Sequence, residues 1–516
     1  MSDPTYQDSP PSLRSHVTLG LCALLHAFTH AYGTILVPLY LLMESDLKLR
    51  GVWQASLVVT VYGFVYCAAS YPAGVLADRS DRKFLLGVGL FGNAAAIALI
   101  GIVRQYELVL ALSVAAGLFG ALFHPCANAL VSAHYPKSPG LAIGFLGIGA
   151  GVGFFVGPQY AGWRAQTAGW HWGSVADWQR PLLEMGAVGL AAGIAFLLVA
   201  KEAEPRTAIG WSRKRREAQP ALQTLAPILP LSPGEARGDG VPETGMAYDA
   251  QPSFERPLSP PLSRAERGQE PTSRASSDGN GQFAHDTPGP GGGAVHAGHT
   301  LGPTLRNRML AVAAALACRD FAGVSSLTLA SIYLQKAHGM NTRQAGFIVG
   351  AMMLVGVVIN PLCVLVSPGR RRLPALVISL ALAAASVVTV PWWGVNHILW
   401  VLVAFQACHL GSYAISDAAI LERVSPDVRG RVVGLFLTIA GTFASTAPWV
   451  MGFWTDALGE SASRARAYFG PFALVGGMML FASTSAYFIA KLGKATGESP
   501  VRPMSEVTPA TMEPVG

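Results

Sequence analysis

The chain has 516 residues, of which 51% are hydrophobic and only 13% are charged. In an average soluble protein about a quarter of the residues are charged. This deficit excludes a chain that is disordered over most of its length, argues against a soluble enzyme and favours a membrane protein with many spans. The net charge of +7 is typical of basic residues that hold loops in the cytoplasm, so we expect no nucleic-acid partner.

Twelve apolar segments are long enough to cross a bilayer as helices. Their residues do not alternate with the period of two that a membrane β-barrel requires. Lipid offers no partner for backbone polar groups, so each segment must satisfy them internally as a helix. The spans are predicted at residues 17–43, 52–77, 84–103, 107–133, 141–163, 182–200, 308–335, 344–366, 374–395, 397–421, 431–455 and 466–490.

A long polar insert divides these spans into two groups of six. Its richness in Pro, Gly, Ser and charged residues predicts a disordered linker. The distribution of Lys and Arg places both termini and this linker in the cytoplasm. The predicted organisation is therefore a tail (1–16), a six-helix bundle (17–200), a linker (201–306), a second six-helix bundle (307–491) and a C-terminal tail (492–516).

The two halves of the chain resemble each other at an offset near 290 residues. That offset aligns Pro158 with Pro448 and Gly151 with Gly441. The repeat predicts two bundles related by a pseudo-two-fold axis along the membrane normal. In transporters built this way the substrate site lies near the bilayer midplane, between the halves.

The loop between spans 2 and 3 reads GVLADRSDRK at residues 74–83. It resembles the signature loop of the major facilitator superfamily, although Asp81 stands where the family pattern has a second glycine. The resemblance implies a transporter that works by alternating access, with this loop as its conformational switch. We expect the glycine to allow close approach of a neighbouring helix. The matching residues are Gly74, Asp78, Arg79, Arg82 and Lys83.

Span 5 contains a second element, GFFVGPQYAG at residues 153–162. It resembles a motif associated with antiporters of the same superfamily, and its small residues and proline also suit close helix packing. The residues concerned are Gly153, Gly157, Pro158 and Gly162. A third stretch, LFHP at 122–125 followed by PGLA at 139–142, resembles the fosmidomycin-resistance branch of efflux pumps. Span 4 lacks the Arg that many drug/proton antiporters of the superfamily carry, so a proton route through that Arg is not expected.

Polar side chains near the middle of predicted spans are candidates for a substrate or proton pathway, because a charge at the centre of a lone helix costs about 2.5–3.5 kcal/mol. Arg319 and Asp320 are adjacent, and neighbouring side chains on a helix diverge by about 100°. We therefore expect them not to pair with each other. A packing role is the alternative for every candidate. The full set is His26, His30, His124, Asn128, Arg319, Asp320 and Asp417.

The resemblance implies a secondary active transporter that moves a small molecule, and we expect proton-coupled efflux. Uptake of a small metabolite by proton symport and a non-transporting receptor on the same fold remain alternatives. The motifs HExxH and GxSxG are absent from the sequence, so we expect no enzyme. The histidines are dispersed without ligand spacing, so neither a metal nor a cofactor is expected. We expect a monomer in the lipid bilayer of the inner membrane, with H⁺ and a small molecule as partners.

Overall fold

The computed structural model describes residues 12–135, 138–167, 175–201, 303–424 and 429–492. Nearly all of the predicted linker and most of both tails lie outside these residues, so the predicted domain organisation stays a prediction. Within the described residues all regular secondary structure is helical. The prediction of an all-α membrane protein is confirmed.

The first half contains eight α-helices among its described residues. Short breaks divide two of the predicted spans, one before Tyr40 and one at residues 121–122, so that each of these spans consists of two helices. The helices are α1 (Leu13–Thr34), α2 (Tyr40–Asp46), α3 (Val52–Arg79), α4 (Arg82–Ile100), α5 (Tyr106–Gly120), α6 (Phe123–His134), α7 (Pro139–Gln166) and α8 (Arg180–Val199).

The second half repeats this pattern with nine α-helices in its described part. A capping box at Asn341 and Gln344 starts the second of them, because each side chain accepts from the backbone N–H of the other residue. The helices are α9 (Pro303–His338), α10 (Thr342–Leu354), α11 (Gly356–Val366), α12 (Arg372–Val388), α13 (Val395–Leu421), α14 (Arg429–Ala444), α15 (Ala447–Ala457), α16 (Phe469–Ala482) and α17 (Ser485–Ala490).

Eleven segments in the described part of the chain are long and apolar enough to cross a membrane. The one predicted span that is not among them, the eleventh at residues 431–455, corresponds to α14 and α15, which a turn at Ser445 and Thr446 separates into helices of 16 and 11 residues. Each piece is shorter than the span of about 20 residues that a bilayer requires. Together they occupy the place of the eleventh span.

Helix packing follows one scheme in both halves. In the first half α1 packs on α7, α4 on α8, and α5 on both α3 and α4. In the second half the equivalent pairs are α9 with α14, α12 with α16, and α13 with both α11 and α12. The repeat seen in the sequence therefore corresponds to two bundles with the same internal packing.

The bundles meet through α3 against α14 and α15, and through α7 against α10. We call the end of the bundles where α1 and α9 begin the linker end, and the other end the closed end. Hydrogen bonds between the bundles cluster at the closed end. Ser331 Oγ donates to Val37 O over 2.8 Å, and Trp449 N donates to Thr60 Oγ1 over 3.0 Å.

Candidate transport site

Three histidines from two helices meet inside the first bundle. His26 and His30 lie one turn apart on α1, and His124 comes from the first turn of α6. One potential ligand nitrogen from each of the three lies within 4.8 Å of the others. The prediction that the histidines are too dispersed to form a ligand set is therefore wrong. Folding joins residues that are nearly a hundred positions apart in the chain.

His26 is held in one orientation by the backbone. Its Nδ1 lies 2.8 Å from the carbonyl oxygen of Leu146 on α7, and a carbonyl only accepts hydrogen bonds. Nδ1 of neutral His26 therefore carries the proton, and Nε2 presents a lone pair. This lone pair faces His30 Nε2, 2.9 Å away.

Aromatic rings surround the histidines. Phe123 stacks on His26 with ring centroids 4.7 Å apart, and Phe154 lies 4.3 Å from His30. His26 is buried, whereas His30 and His124 are half-buried. Asn128, one turn beyond His124 on α6, is also half-buried. The cluster thus has an apolar shell on one side and remains partly accessible on the other.

A second polar cluster lies in the other bundle, on α9 and α13. Arg319 is fully buried, and its Nε donates to Asp320 Oδ1 over 2.8 Å. The prediction that these adjacent residues would not pair is wrong. Although their Cβ directions diverge, the long Arg side chain curls back so that its Nε reaches the neighbouring carboxylate.

Two residues of α13 also contact Arg319. Its Nη1 donates to Ser416 Oγ over 2.8 Å, and its guanidinium carbon lies 3.5 Å from the centroid of the Tyr413 ring. Nη2 of Arg319 is buried without a hydrogen-bond partner among the described residues. The Asp320 side chain keeps 12% of its surface exposed. The pair therefore retains one free donor and one partly accessible carboxylate.

Tyr413, Ser416 and His409 are not among the candidates chosen from the sequence. His409 Nδ1 donates to Gln406 Oε1 over 2.7 Å, and the His409 ring lies 5.2 Å from that of Tyr413. Residues 406, 409, 413 and 416 are three or four apart, which places them on one face of a helix. This spacing could have identified a polar helix face from the sequence alone. Asp417, the candidate on the same helix, has an exposed side chain.

The signature loop is described only in part, because the side chains of Asp78 and Arg79 lie outside the described set. Gly74 shows no close helix approach, since a Cβ placed on it would lie 3.9 Å from Pro125 Cβ, in ordinary contact. The expectation that Gly74 allows close approach of a neighbouring helix is therefore wrong. Asp81 is the N-cap of α4, where its Oδ1 accepts from Phe84 N over 2.7 Å. The half-buried Arg82 and Lys83 follow in the first turn of α4.

The glycines of α7 serve two different contacts. A Cβ on Gly153 would overlap the carbonyl oxygen of Ala27 on α1, and one on Gly157 would lie 2.7 Å from that of Ala31. Gly162 faces α10 instead, where a Cβ would lie 2.5 Å from Thr342 O. Pro158 is buried, and its carbonyl oxygen lies against α10. The motif therefore combines packing within the first bundle and packing between the bundles.

Two bundles of six spans, each with a buried polar cluster, define a membrane transporter fold. The model of the Major Facilitator Superfamily matches residues 19–438. The chain belongs to this superfamily and is a multi-pass membrane protein.

Curated relatives match a shorter part of the chain. Multidrug resistance protein MdtG of Dickeya zeae (strain Ech586) is 35% identical over 149 residues, which are 28% of this chain and 36% of that protein. MdtG of Klebsiella pneumoniae (strain 342) is 32% identical over 152 residues, 28% of this chain and 35% of that protein. The matched segments therefore span about a third of these relatives.

Solved structures match over nearly the whole length. A bacterial homologue of the human lysosomal transporter Spinster, in an inward-facing and unoccupied conformation, superposes with a TM-score of 0.66 at 15% identity and covers 94% of this chain and 98% of its own. A point mutant of the nucleoside transporter NupG gives a TM-score of 0.59 at 10% identity, covering 93% and 99%. At these identities the likeness shows the fold alone.

Proposed function

We propose that the protein is a secondary active transporter that exports small molecules from the cytoplasm in exchange for protons. The observation that carries this proposal is the buried pair of Arg319 and Asp320 in the second bundle. A carboxylate inside a membrane bundle is costly, and such groups typically mark ion or proton pathways. The partial identity to multidrug resistance proteins supports efflux as the direction.

Asp320 is the proposed proton carrier. Its carboxylate keeps one hydrogen bond from Arg319 and a partly exposed surface, so it has both a partner when charged and a path for a proton. Protonation of Asp320 would break its ion pair with Arg319, whereas the contacts of the guanidinium with Ser416 and Tyr413 would remain. Loading and unloading of the proton would thereby change the contacts between α9 and α13.

The remaining candidates for the substrate or proton pathway lie in both bundles. His26, His30, His124 and Asn128 contribute the polar surface of the first bundle, and Asp417 contributes an exposed carboxylate on α13. Gly74, Asp78, Arg79, Arg82 and Lys83 form the proposed switch loop between states. We further propose an inner-membrane location, cytoplasmic termini and a monomeric transporter.

Closure at one end supports alternating access. Contacts between α3 and α15 and between α7 and α10 hold the bundles together at the closed end. At the linker end, a Cβ placed on Gly140, Gly144 or Gly147 of α7 would lie within 4 Å of no atom of the other described helices. Rocking of the bundles against each other would exchange these two arrangements.

The test is flux measured in proteoliposomes with an imposed pH gradient, using a panel of amphipathic drug-like compounds. We expect the substrate to move in the direction opposite to the protons, so that the pH gradient drives its accumulation. Empty liposomes control for passive partition of weak bases. Substrate moving together with protons would contradict efflux by antiport and support the symport alternative.

A further inference from the structure

We infer that His26, His30 and His124 form a binding site for a divalent first-row transition-metal ion. Imidazole nitrogen is a preferred ligand of zinc, copper and nickel. Three histidines with one open position is a known zinc arrangement, in which water or another oxygen ligand takes the fourth place. The inference does not depend on the direction of transport or on its coupling.

Helix geometry supports the first two ligands. His26 and His30 are four residues apart on α1, and this spacing places two histidines on one face, as in the helices of zinc proteases. Their Nε2 atoms are 2.9 Å apart. Zinc–nitrogen bonds of about 2.0–2.1 Å in a tetrahedral site separate two ligand nitrogens by about 3.3 Å. A small opening of the two rings therefore admits an ion between them.

His124 supplies the third ligand from α6. The ligand nitrogens of the three residues lie within 4.8 Å of one another, so small side-chain rotations bring all three into bonding distance. The ring centroids of His26 and His124 are 5.1 Å apart, and those of His30 and His124 are 5.8 Å apart. The two helices thus present their imidazoles to one common point.

The hydrogen bond from His26 to Leu146 is a second, independent observation. Histidines that bind metals almost always donate their other N–H to a carboxylate, carbonyl or water, which fixes the ring and the tautomer. His26 does this through Nδ1, over 2.8 Å, and its Nε2 lone pair points to the cluster. In the metal-free state His30 Nε2–H donates to that lone pair. Metal binding through His30 Nε2 moves the proton of His30 to Nδ1, so the number of bound protons is unchanged.

The surroundings leave the fourth position open. Phe123 and Phe154 pack against His26 and His30 and shield one side of the cluster. His30 and His124 remain half-buried, so water or an anionic oxygen donor reaches the ion from the other side. Hydroxide on the ion would offset part of its charge, as in three-histidine zinc enzymes.

The experiment is titration of the purified full chain in detergent with Co²⁺, followed by displacement with Zn²⁺. The protein carries no polyhistidine tag, and His285, His296 and His299 of the insert are replaced by Gln, so that the insert contributes no imidazole. We expect one equivalent of Co²⁺ with the visible absorption of a four- or five-coordinate ion. His30→Gln and His124→Gln should each weaken binding at least about tenfold, since even loss of a supporting partner costs about 10–100-fold.

His397→Gln, which alters an exposed histidine at the start of α13, is the matched control and should bind like the parent. His124→Cys should restore binding and add a sulfur-to-cobalt charge-transfer band, which a purely structural role of His124 would not produce. Size-exclusion chromatography checks that each variant is folded. Equal Co²⁺ affinity in the parent and in both Gln variants, or no Co²⁺ spectrum in a monodisperse parent, would overturn the inference.

Discussion

The carboxylate of Asp456, at the end of α15, accepts a hydrogen bond from the backbone N–H of Trp53 over 2.8 Å. Trp53 lies in the first turn of α3, so a residue of the second bundle caps a helix of the first. Lys336 of α9 lies 3.6 Å from the other carboxylate oxygen. This three-residue contact joins the two bundles at the closed end, and we expect its strength to affect the balance between conformations.

Replacing Asp456 should open the closed end. Asp456→Ala removes a helix cap worth about 0.5–2 kcal/mol, whereas Asp456→Asn keeps an oxygen acceptor but loses the charge. We expect maleimide labelling of a Ser331→Cys probe, which is buried at this end, to rise several-fold with Ala and less with Asn. Glu460→Gln, at an exposed site nearby, is the control. Identical labelling of all variants would show that Asp456 does not hold this end shut.

Two glycines of α7 permit a matched stability test within one helix. Gly153→Ala should cost about 1–3 kcal/mol, because the new methyl group overlaps the backbone of α1. Gly147→Ala is the control, since Gly147 is exposed and alanine is the better helix former by about 1 kcal/mol. Thermal unfolding in detergent should show a lower midpoint for the first variant and an equal or higher one for the second. The reverse order would mean that α1 and α7 do not pack as described.

The pair of Arg319 and Asp320 should show strong coupling in a double-mutant cycle. Arg319→Gln leaves a buried carboxylate unpaired and should destabilise the protein by about 3–5 kcal/mol. Combining it with Asp320→Asn removes both charges and should recover part of that loss. Thermal unfolding of the parent, the two single variants and the double variant measures the coupling. Additive effects would indicate that the two side chains do not interact.

Asp81, which departs from the family pattern, should act as a helix cap. Asp81→Ala should destabilise the protein by about 0.5–2 kcal/mol, because Phe84 N loses its acceptor. Asp81→Gly, which matches the family pattern, should cost only a few tenths of a kcal/mol, since glycine is itself a tolerated N-cap. Thermal unfolding distinguishes the two. Equal losses in both variants would count against a capping role.

The architecture was predictable because its causes are local or periodic. Long apolar segments identify membrane helices. The repeat that aligns Pro158 with Pro448 predicts two similar bundles, and the two bundles have the same helix packing. Both signals survive in a single sequence because each depends on residue type and spacing alone. The residue ranges of the helices differ from the predicted spans mainly where a span contains a break.

The polar clusters were less predictable because they depend on contacts between distant segments. Nothing in the spacing of His26, His30 and His124 reveals that α6 lies beside α1. The pairing of Arg319 with Asp320 was missed for another reason, because the angle between Cβ directions does not limit where a long, flexible side chain ends. The polar stripe on α13 with Tyr413 and Ser416 did carry a helical spacing that sequence analysis could have used.

The central claim is that Asp320 couples transport to protons, and its most direct test is Asp320→Asn in proteoliposomes. Two assays are compared, accumulation driven by an imposed pH gradient and substrate exchange at equal pH on both sides. We expect Asp320→Asn to abolish accumulation while exchange survives, and Glu107→Gln, which alters an exposed carboxylate on α5, to leave both intact. A folded Asp320→Asn variant that still concentrates substrate against its gradient would contradict the account.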